Sequence, residues 1–373
     1  MKITVLGPTY PIKGGISHYT TLLVKALREH HDVDFISFRY QYPDWLYPGT
    51  NQFDSSGDTI TVDNARLFHS LAFPSWNQVV RRVIEHDSEF ILTAWWTYFF
   101  AIQFAHINNR VHKSGRKVVY ICHNVKQHEN RPMEKFFTNL AFRDVDHFVV
   151  HSTEDRDNLL KYRPNASVKI NPHPTYDHFA KIYNSDSIAK VKSRKKPNTV
   201  LFFGVVRPYK GLKYLVEAFP LVIKEIPNAN LLIVGDFWES EDEYRKLIKE
   251  VGITNRTELI NSYVPNEKVG DYFYQADCLA LPYTSATQSG IVQIAYGFKL
   301  PVVVTRVGGL PEVVIPGITG EIVSPENPSD LAEGIIKVLS NPKRDSFPEN
   351  IEKYIERFNW EHMVETIESF FIF

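Results

Sequence analysis

Cysteine, net charge and long apolar runs are what this chain has least of. Its 373 residues include two cysteines, Cys122 and Cys278, far apart in apolar runs. No Cys-x-x-Cys or Cys/His spacing accompanies them, so neither a disulfide framework nor a cysteine-based metal site is expected, and both thiols read as reduced and buried. A net charge of -1 provides no global field for nucleic acid or an anionic membrane. The start, Met1 to Gly7, has too few apolar residues for a signal peptide and reads as a first strand. The longest apolar-looking run, residues 90–107, carries Thr93, Thr97, Gln103 and His106 and is too polar to span a bilayer. No fixed-period repeat or low-complexity segment is present. What remains, 43% hydrophobic and 23% charged residues, is the composition of a cytoplasmic globular protein of two domains.

Strand-like and helix-like stretches alternate from one end to the other. This predicts an α/β fold with parallel sheets and crossover helices, two doubly wound Rossmann-like domains facing across a cleft. A strand at 2–6 leads through Gly14-Gly15 to a helix at 16–29, with Tyr19, Leu22, Leu23, Ala26 and Leu27 on one face. A strand at 33–38 follows. Residues 39–64 are then irregular and rich in aromatics, and loops this long usually carry function or mobility. Tyr40, Tyr42, Trp45 and Tyr47 would stack on a sugar, meet a lipid headgroup, or simply pack on one another. Helices at 77–85 and 98–112 alternate with strands at 90–93, 117–121 and 148–150, and Ser152 caps a further helix. The pattern lapses over 183–198, where Ser193-Arg194-Lys195-Lys196-Pro197 reads as a solvated domain boundary. A second series runs through strands at 199–206, 229–234, 259–261, 277–281, 302–305 and 320–323, with helices at 210–225 and 241–251. The tail, 347–371, reads as two helices joined at Asn359-Trp360.

Residues 282–317 organise the second series. Small polar residues from Thr284 to Ser289 predict a loop, Ile291, Ile294, Ala295 and Phe298 fall at helical spacing, and Val302-Val303-Val304-Thr305 suits a strand buried on both faces. Gly308-Gly309 breaks the strand, and Pro311-Glu312 stands where a new helix would begin. Ligands of open α/β sheets bind at the edge where such strands end. At that edge Gly204 to Gly211 places Arg207 and Lys210 three residues apart, ahead of a helix start. Two cations beside free N–H groups suit a diphosphate and would stabilise its charge if it departed.

The second half resembles the donor domain of retaining GT-B glycosyltransferases of family 4. The resemblance rests on Arg207-x-x-Lys210-Gly211, Leu231-Leu232-Ile233-Val234-Gly235-Asp236, Ala276-Asp277-Cys278 with Pro282, and Gly308-Gly309-Leu310-Pro311-Glu312-Val313-Val314. The first half fits more loosely, through Gly14-Gly15 and Cys122-His123-Asn124. The resemblance implies an acceptor-binding domain at 1–190, a nucleotide-sugar donor domain at 197–345, and helices at 346–373 that return to the first domain. It implies that Arg207 and Lys210 grip the donor diphosphate and that backbone at Tyr263-Val264-Pro265 holds the base. Gly14 and Gly15 would admit phosphates and acceptor, and His123 would sit beside the transferred sugar. It implies front-face displacement with retention, with a nucleotide sugar as co-substrate, no further cofactor and no bound metal. No Asp-x-Asp lies in a loop suited to a metal-bound diphosphate.

The sequence departs from the family at one place. Family members carry two glutamates separated by seven residues, whereas residues 285–294 contain no acid. Gln288 falls near the first place and Gln293 near the second. Ser289, Gly290 and Ile291 would still offer N–H groups to phosphate, while Asp236 and Glu312 are the acids left near the donor, Glu312 either touching the sugar or capping a helix. The leading reading is therefore sugar transfer to a glycan or lipid-linked acceptor. Tyr40 to Tyr47 and the basic run Arg110-Val111-His112-Lys113 with Arg116-Lys117 hint at peripheral contact with the inner face of a membrane. A non-catalytic nucleotide-sugar-binding subunit is the alternative. A nicotinamide-dependent oxidoreductase is a third, opposed by the lack of G-x-G-x-x-G after either first strand.

Overall fold

The strands pair in parallel throughout, in two separate sheets, in the computed structural model, which describes residues 1–43, 52–57, 60–125 and 133–371. Trp45 and Tyr47 lie outside the described residues. The chain divides into two compact units, one of Met1–Ser55, Thr59–Pro172 and Trp360–Phe373, the other of Ser56–Asp58 and His173–Asn359.

The first unit runs β1 (Lys2–Leu6), α1 (Gly15–Leu27), β2 (Asp32–Tyr40), β3 (Ala65–His69), α2 (Phe73–Glu85), β4 (Phe90–Trp95), α3 (Ala101–Lys113), β5 (Lys117–Cys122), α4 (Glu134–Phe142), β6 (His147–Val150), α5 (Thr153–Tyr162) and β7 (Ser167–Ile170). Its sheet has the order β3-β2-β1-β4-β5-β6-β7. Strand order reverses between β1 and β4, so the loops after those strands diverge to opposite faces and leave a crevice. All six residues of β4 are buried, as a strand covered on both faces requires. Burying a residue such as Ile91 or Leu92 stabilises the fold by about 1.5–3 kcal/mol. One face packs aromatic side chains, with Phe38, Phe68, Trp95, Phe104, Tyr120 and Phe142 in a single cluster. Ser152 begins α5 by reciprocal bonding: its Oγ accepts from the Asp155 N–H at 3.1 Å and donates to Asp155 Oδ2 at 2.9 Å.

The second unit opens with α6 (His178–Lys181) and α7 (Ser185–Lys192). It continues β8 (Thr199–Phe203), α8 (Leu212–Glu225), β9 (Asn230–Gly235), α9 (Glu241–Glu250), β10 (Thr257–Asn261), α10 (Val269–Phe273), β11 (Cys278–Leu281), α11 (Gly290–Gly297), β12 (Val302–Thr305), β13 (Gly320–Val323), α12 (Pro328–Leu339) and α13 (Phe347–Ile355). Its order, β10-β9-β8-β11-β12-β13, reverses between β8 and β11. The last helix, α14 (Trp360–Glu368), belongs to the first unit, where Met363, Val364 and Ile367 join the core beside α1.

The divisions fall at Pro172/His173 and Asn359/Trp360 rather than near residues 190 and 346. The polar stretch at 183–198 contains α7, whose single fully buried residue, Val191, hides it from a hydrophobic pattern. Its basic cluster is paired at the protein surface, Lys195 with Asp277 at 2.8 Å and Lys196 with Glu258 at 3.3 Å. Where a helix was expected after Gly308-Gly309, a single 3₁₀ turn (Leu310–Val313) forms instead. The thiols of Cys122 and Cys278 are free and buried.

Candidate functional site

In the second unit the loops after β8, β9, β11 and β12 leave the same edge of the sheet, and contacts between their backbones knit them together. A Cβ at Gly235 would overlap the Gly204 carbonyl oxygen, and one at Gly308 the Ala286 carbonyl oxygen. The Gly309 N–H donates to the Thr287 carbonyl at 2.9 Å, and the Thr284 N–H to the Tyr209 carbonyl at 2.8 Å. The loops after β8 and β11, the two that flank the strand reversal, are thus bonded to each other. Beyond β9, the Ser262 N–H donates to the Gly235 carbonyl at 3.0 Å and carries half-buried Tyr263 and buried Val264 on from the end of β10.

Both expected cations stand in the loop after β8, and aromatic rings hold them. The Arg207 guanidinium carbon lies 5.3 Å from the Trp238 ring centroid and 5.5 Å from that of Tyr209. Lys210 Nζ lies 5.2 Å from the Tyr283 ring. Each distance is within the reach of a cation–π contact. The Trp238 indole N–H donates to Asp236 Oδ2 at 3.2 Å, so Asp236 orients the ring that faces Arg207. Burial holds the Lys210 ammonium below its ordinary pKa; Tyr209 opposes that shift and the Arg207 charge adds to it. Among the described residues no carboxylate pairs with Lys210. Its charge is therefore poorly solvated and suited to an anion that brings its own.

Lys210 also reaches the start of α11. A Cβ at Gly204 would lie 3.4 Å from Lys210 Nζ and 3.5 Å from Ile291 Cδ1, so the ammonium and the Ile291 side chain of the helix's first turn flank the same glycine. Of the three amides expected to face a phosphate, that of Ile291 donates to Ser289 Oγ at 3.3 Å. Those of Ser289 and Gly290 have no acceptor among the described residues. A cation and an open helix start converge here, a combination that attracts phosphate.

The glutamine positions separate. Half-buried Gln288 donates from Nε2 to the Gly309 carbonyl at 3.4 Å, joining the loop to the glycine turn. Gln293 is completely buried, and its Oε1 accepts from Thr175 Oγ1 at 3.4 Å. Gln293, near the second family glutamate's place, is thus enclosed by the unit's own residues. Glu312 is exposed in the 3₁₀ turn after β12, with no α-helix there for it to cap.

In the first unit the edge is built differently. Gly14 has a φ of 122°, in the left-handed region, and ends the loop after β1; the first helical residue of α1 is Gly15. No side chain caps this helix. His123 follows β5 and its N–H donates to the Trp95 carbonyl at 2.8 Å, tying the loop after β5 to β4. The His123 ring meets Tyr19 edge-on at 4.5 Å and lies 5.3 Å from His151. His151 donates from Nδ1 to the Asn171 carbonyl at 2.8 Å, and burial lowers its pKa to about 4, a shift the Asn171 carbonyl partly offsets. His123 therefore stands on a neutral aromatic bed. Tyr19, His151, Tyr209, Trp238 and Tyr283 were not singled out by sequence reasoning. Tyr209 and Trp238 stand two residues from Arg207 and Asp236, which is the one local signal.

The two remaining hints of membrane contact change character. Tyr40 stacks on His69 at 4.6 Å, and the Tyr42 hydroxyl accepts from Trp96 Nε1 at 2.8 Å. Arg116 pairs with Asp87 and Lys117 with Asp146, each at 3.0 Å, so two of that run's cations are paired. No described helix is long and apolar enough to cross a membrane.

Two Rossmann-like parallel-sheet units, each with a strand reversal, form the GT-B architecture. Comparison with known proteins agrees. Residues 184–358 match the family described as Glycosyl transferases group 1, and residues 13–175 match Glycosyltransferase Family 4. The D-inositol 3-phosphate glycosyltransferase of Corynebacterium glutamicum is 27% identical over 246 residues, 63% of this chain and 55% of that protein. Among solved structures, sucrose-phosphate synthase from Thermosynechococcus elongatus superposes with a TM-score of 0.73 at 17% identity, covering 99% of this chain and 98% of that one. HepE of Anabaena, in complex with UDP, gives 0.74 at 19% identity, covering 100% and 99%. These structural likenesses establish the fold. The chain belongs to the GT-B glycosyltransferases of family 4, which removes the nicotinamide-dependent reading. It spans about half the length of the curated relatives it matches, 44% to 55% of three of them.

Proposed function

We propose that the protein is a retaining, metal-independent hexosyltransferase that moves a sugar from a nucleotide-diphosphate sugar to a glycan or lipid-linked acceptor. The reading places it in the cytoplasm at the inner face of a membrane, in cell-surface polysaccharide or glycolipid synthesis. The observation that carries it is the meeting of Lys210 with the open start of α11, next to ring-held Arg207, at the reversal between β8 and β11. The complexes of HepE with UDP and with UDP-glucose support a nucleoside diphosphate as the anion.

In this reading the bond from the anomeric carbon to the diphosphate oxygen breaks while the acceptor oxygen bonds to the same face of that carbon. The acceptor's proton passes to the departing diphosphate. Arg207, Lys210 and the amides of Ser289 and Gly290 stabilise the charge that builds up on it, the kind of fixed-dipole effect worth about 10²–10³ in rate per donor. His123 hydrogen-bonds the sugar, Gly14 and Gly15 leave room for phosphate and acceptor, and the backbone at Tyr263 and Val264 holds the base. Asp236 positions Trp238, Gln288 accepts from a sugar hydroxyl, and Glu312 contacts the sugar.

The absence of acid between residues 285 and 294 and the burial of Gln293 favour one second reading, a subunit that binds nucleotide sugar without turnover. Product analysis with a panel of nucleotide-diphosphate sugars, wild type against Arg207→Ala, decides between them. Turnover with retained anomeric configuration, lost in the variant, supports the transferase. Binding without turnover by the wild type, merely weakened in the variant, supports the subunit.

A further inference from the structure

The basic run Ser193-Arg194-Lys195-Lys196-Pro197 borders a second cavity, remote from Arg207 and Lys210. A cavity of about 360 Å³ opens between α10 and the amino ends of β8, β9 and β10. β8 and β9 start there and end, five and six residues later, in the loops that carry Arg207 and Asp236. Strands of that length set the cavity about 17–20 Å from those loops, at the opposite end of one sheet. Thr199 pairs with Asn230 and Leu232 with Glu258 in register, so these four side chains share one face of the sheet. With about 7.5 Å of helix, the five-residue α10 roofs only part of that face.

Charge and hydrogen bonding divide the lining. Its two acids are engaged: Glu258 Oε2 meets Lys196 at 3.3 Å, and Asp271 accepts from the Tyr183 hydroxyl at 3.2 Å and lies 3.9 Å from Lys268 Nζ. Arg194 and Arg256, on the segments that lead into β8 and β10, are exposed and have no carboxylate partner among the described residues. The amides are oriented the other way. Asn230 donates from Nδ2 to the Pro197 and Asn228 carbonyls at 2.9 and 2.8 Å, and Gln275 donates from Nε2 to the Asp271 carbonyl. Asn230 Oδ1, Gln275 Oε1 and Glu258 Oε1 are left as acceptors. The cavity therefore offers two guanidinium donors and a wall of oxygen acceptors, with the half-buried Tyr272 ring beside them.

We infer that this cavity is a second binding site, for a sugar monophosphate. Guanidinium forks match the oxygens of a phosphate. The acceptor wall calls for a ligand rich in donors, and sugar hydroxyls supply them, whereas a polycarboxylate has none to give. A sugar ring also presents an apolar face to Tyr272. The volume stands near the lower end of small-molecule sites, about 300–1,000 Å³, which suits one phosphorylated ring rather than a nucleotide sugar. The site is read from the cavity alone and does not rest on the transferase reading.

The test is titration calorimetry of the purified full chain with glucose 6-phosphate, mannose 6-phosphate, ribose 5-phosphate and inorganic phosphate. At least one sugar phosphate should bind about tenfold more tightly than inorganic phosphate, since its hydroxyls add hydrogen bonds to those of the phosphate. Arg194→Gln/Arg256→Gln should weaken that binding by about tenfold or more. Arg207→Ala/Lys210→Ala should leave it unchanged, and so should saturating UDP. Circular dichroism reports whether the variants are folded; both arginines are exposed, so their replacement should leave the fold intact. Absence of binding by every sugar phosphate, affinity no better than that of inorganic phosphate, or full retention in the Arg194/Arg256 variant overturns the proposal. So does competition by UDP, or loss in the Arg207/Lys210 variant, because the sugar phosphate would then occupy the edge that bears those two cations.

Discussion

In the second unit a Cβ at Gly235 or Gly308 would run into the backbone of a neighbouring loop, whereas in the first unit a Cβ at Gly14 or Gly15 would meet nothing within 4 Å. The two sheet edges share one topology, a strand reversal with helices starting beside it, yet glycine answers different demands at each. In the second unit it lets the chain close on itself, which locks the loops that carry Arg207 and Lys210. In the first it leaves open space at the start of an uncapped helix. The charged groups follow the same division. Arg207 and Lys210 are held against aromatic faces beside an open helix start, while His123 and His151 are buried against Tyr19 and each other. One edge holds two cations against rings, and the other presents two glycines with nothing packed beside them.

The sharpest way to break this contrast is alanine at each kind of glycine. Gly308→Ala forces the Ala286 backbone to move and should cost about 3 kcal/mol or more in chemical denaturation. Gly15→Ala occupies open space at a helical position, so it should leave stability unchanged or raise it by about 0.5–1 kcal/mol, while lowering transfer. Equal stability losses at both sites would erase the distinction. Next in size is charge at the gripping edge, where Arg207→Ala should lower kcat by about 10²–10³ with little change in melting temperature.

His151 sharpens the contrast through pH. Its pKa is about 4 in the folded chain against 6.5 for a free histidine, because burial disfavours its charge. The unfolded chain takes up a proton first as pH falls. The associated stability is complete above pH 6.5 and is lost between 6.5 and 4, to a total on the order of 3 kcal/mol. Urea denaturation of His151→Gln should show a shallower fall across that window than wild type. The smallest effect belongs to Trp238. Trp238→Leu removes one of two rings facing Arg207 and the bond to Asp236, and should weaken nucleoside-diphosphate binding by about 1 kcal/mol. An unchanged dissociation constant in titration calorimetry would mean that Tyr209 alone positions the guanidinium.

Legibility followed burial. Val302–Thr305 was placed to the residue because a fully buried β-branched run closed by a glycine turn leaves few alternatives. The strand Ala65–His69 was not assigned, since it pairs on one side and buries Phe68 alone. Ser167–Ile170 escaped for the same reason, with no residue fully buried. Pro328–Leu339 was passed over despite an Asn327 cap and an opening proline. At the site, Arg207 and Lys210 were legible because strand, cations and helix start adjoin in sequence. The rings that hold them were not, because Tyr283 and Trp238 arrive from other strands.

Nucleoside-diphosphate binding by the second unit is tested most directly by a thermal-shift comparison of wild type and Arg207→Ala/Lys210→Ala with UDP, GDP and ADP. One diphosphate should raise the wild-type melting temperature, since a ligand that binds only the folded chain stabilises it. The double variant should melt normally without ligand and show little or no response to that diphosphate. An equal shift in both proteins would place the diphosphate elsewhere and contradict the assignment of these two cations.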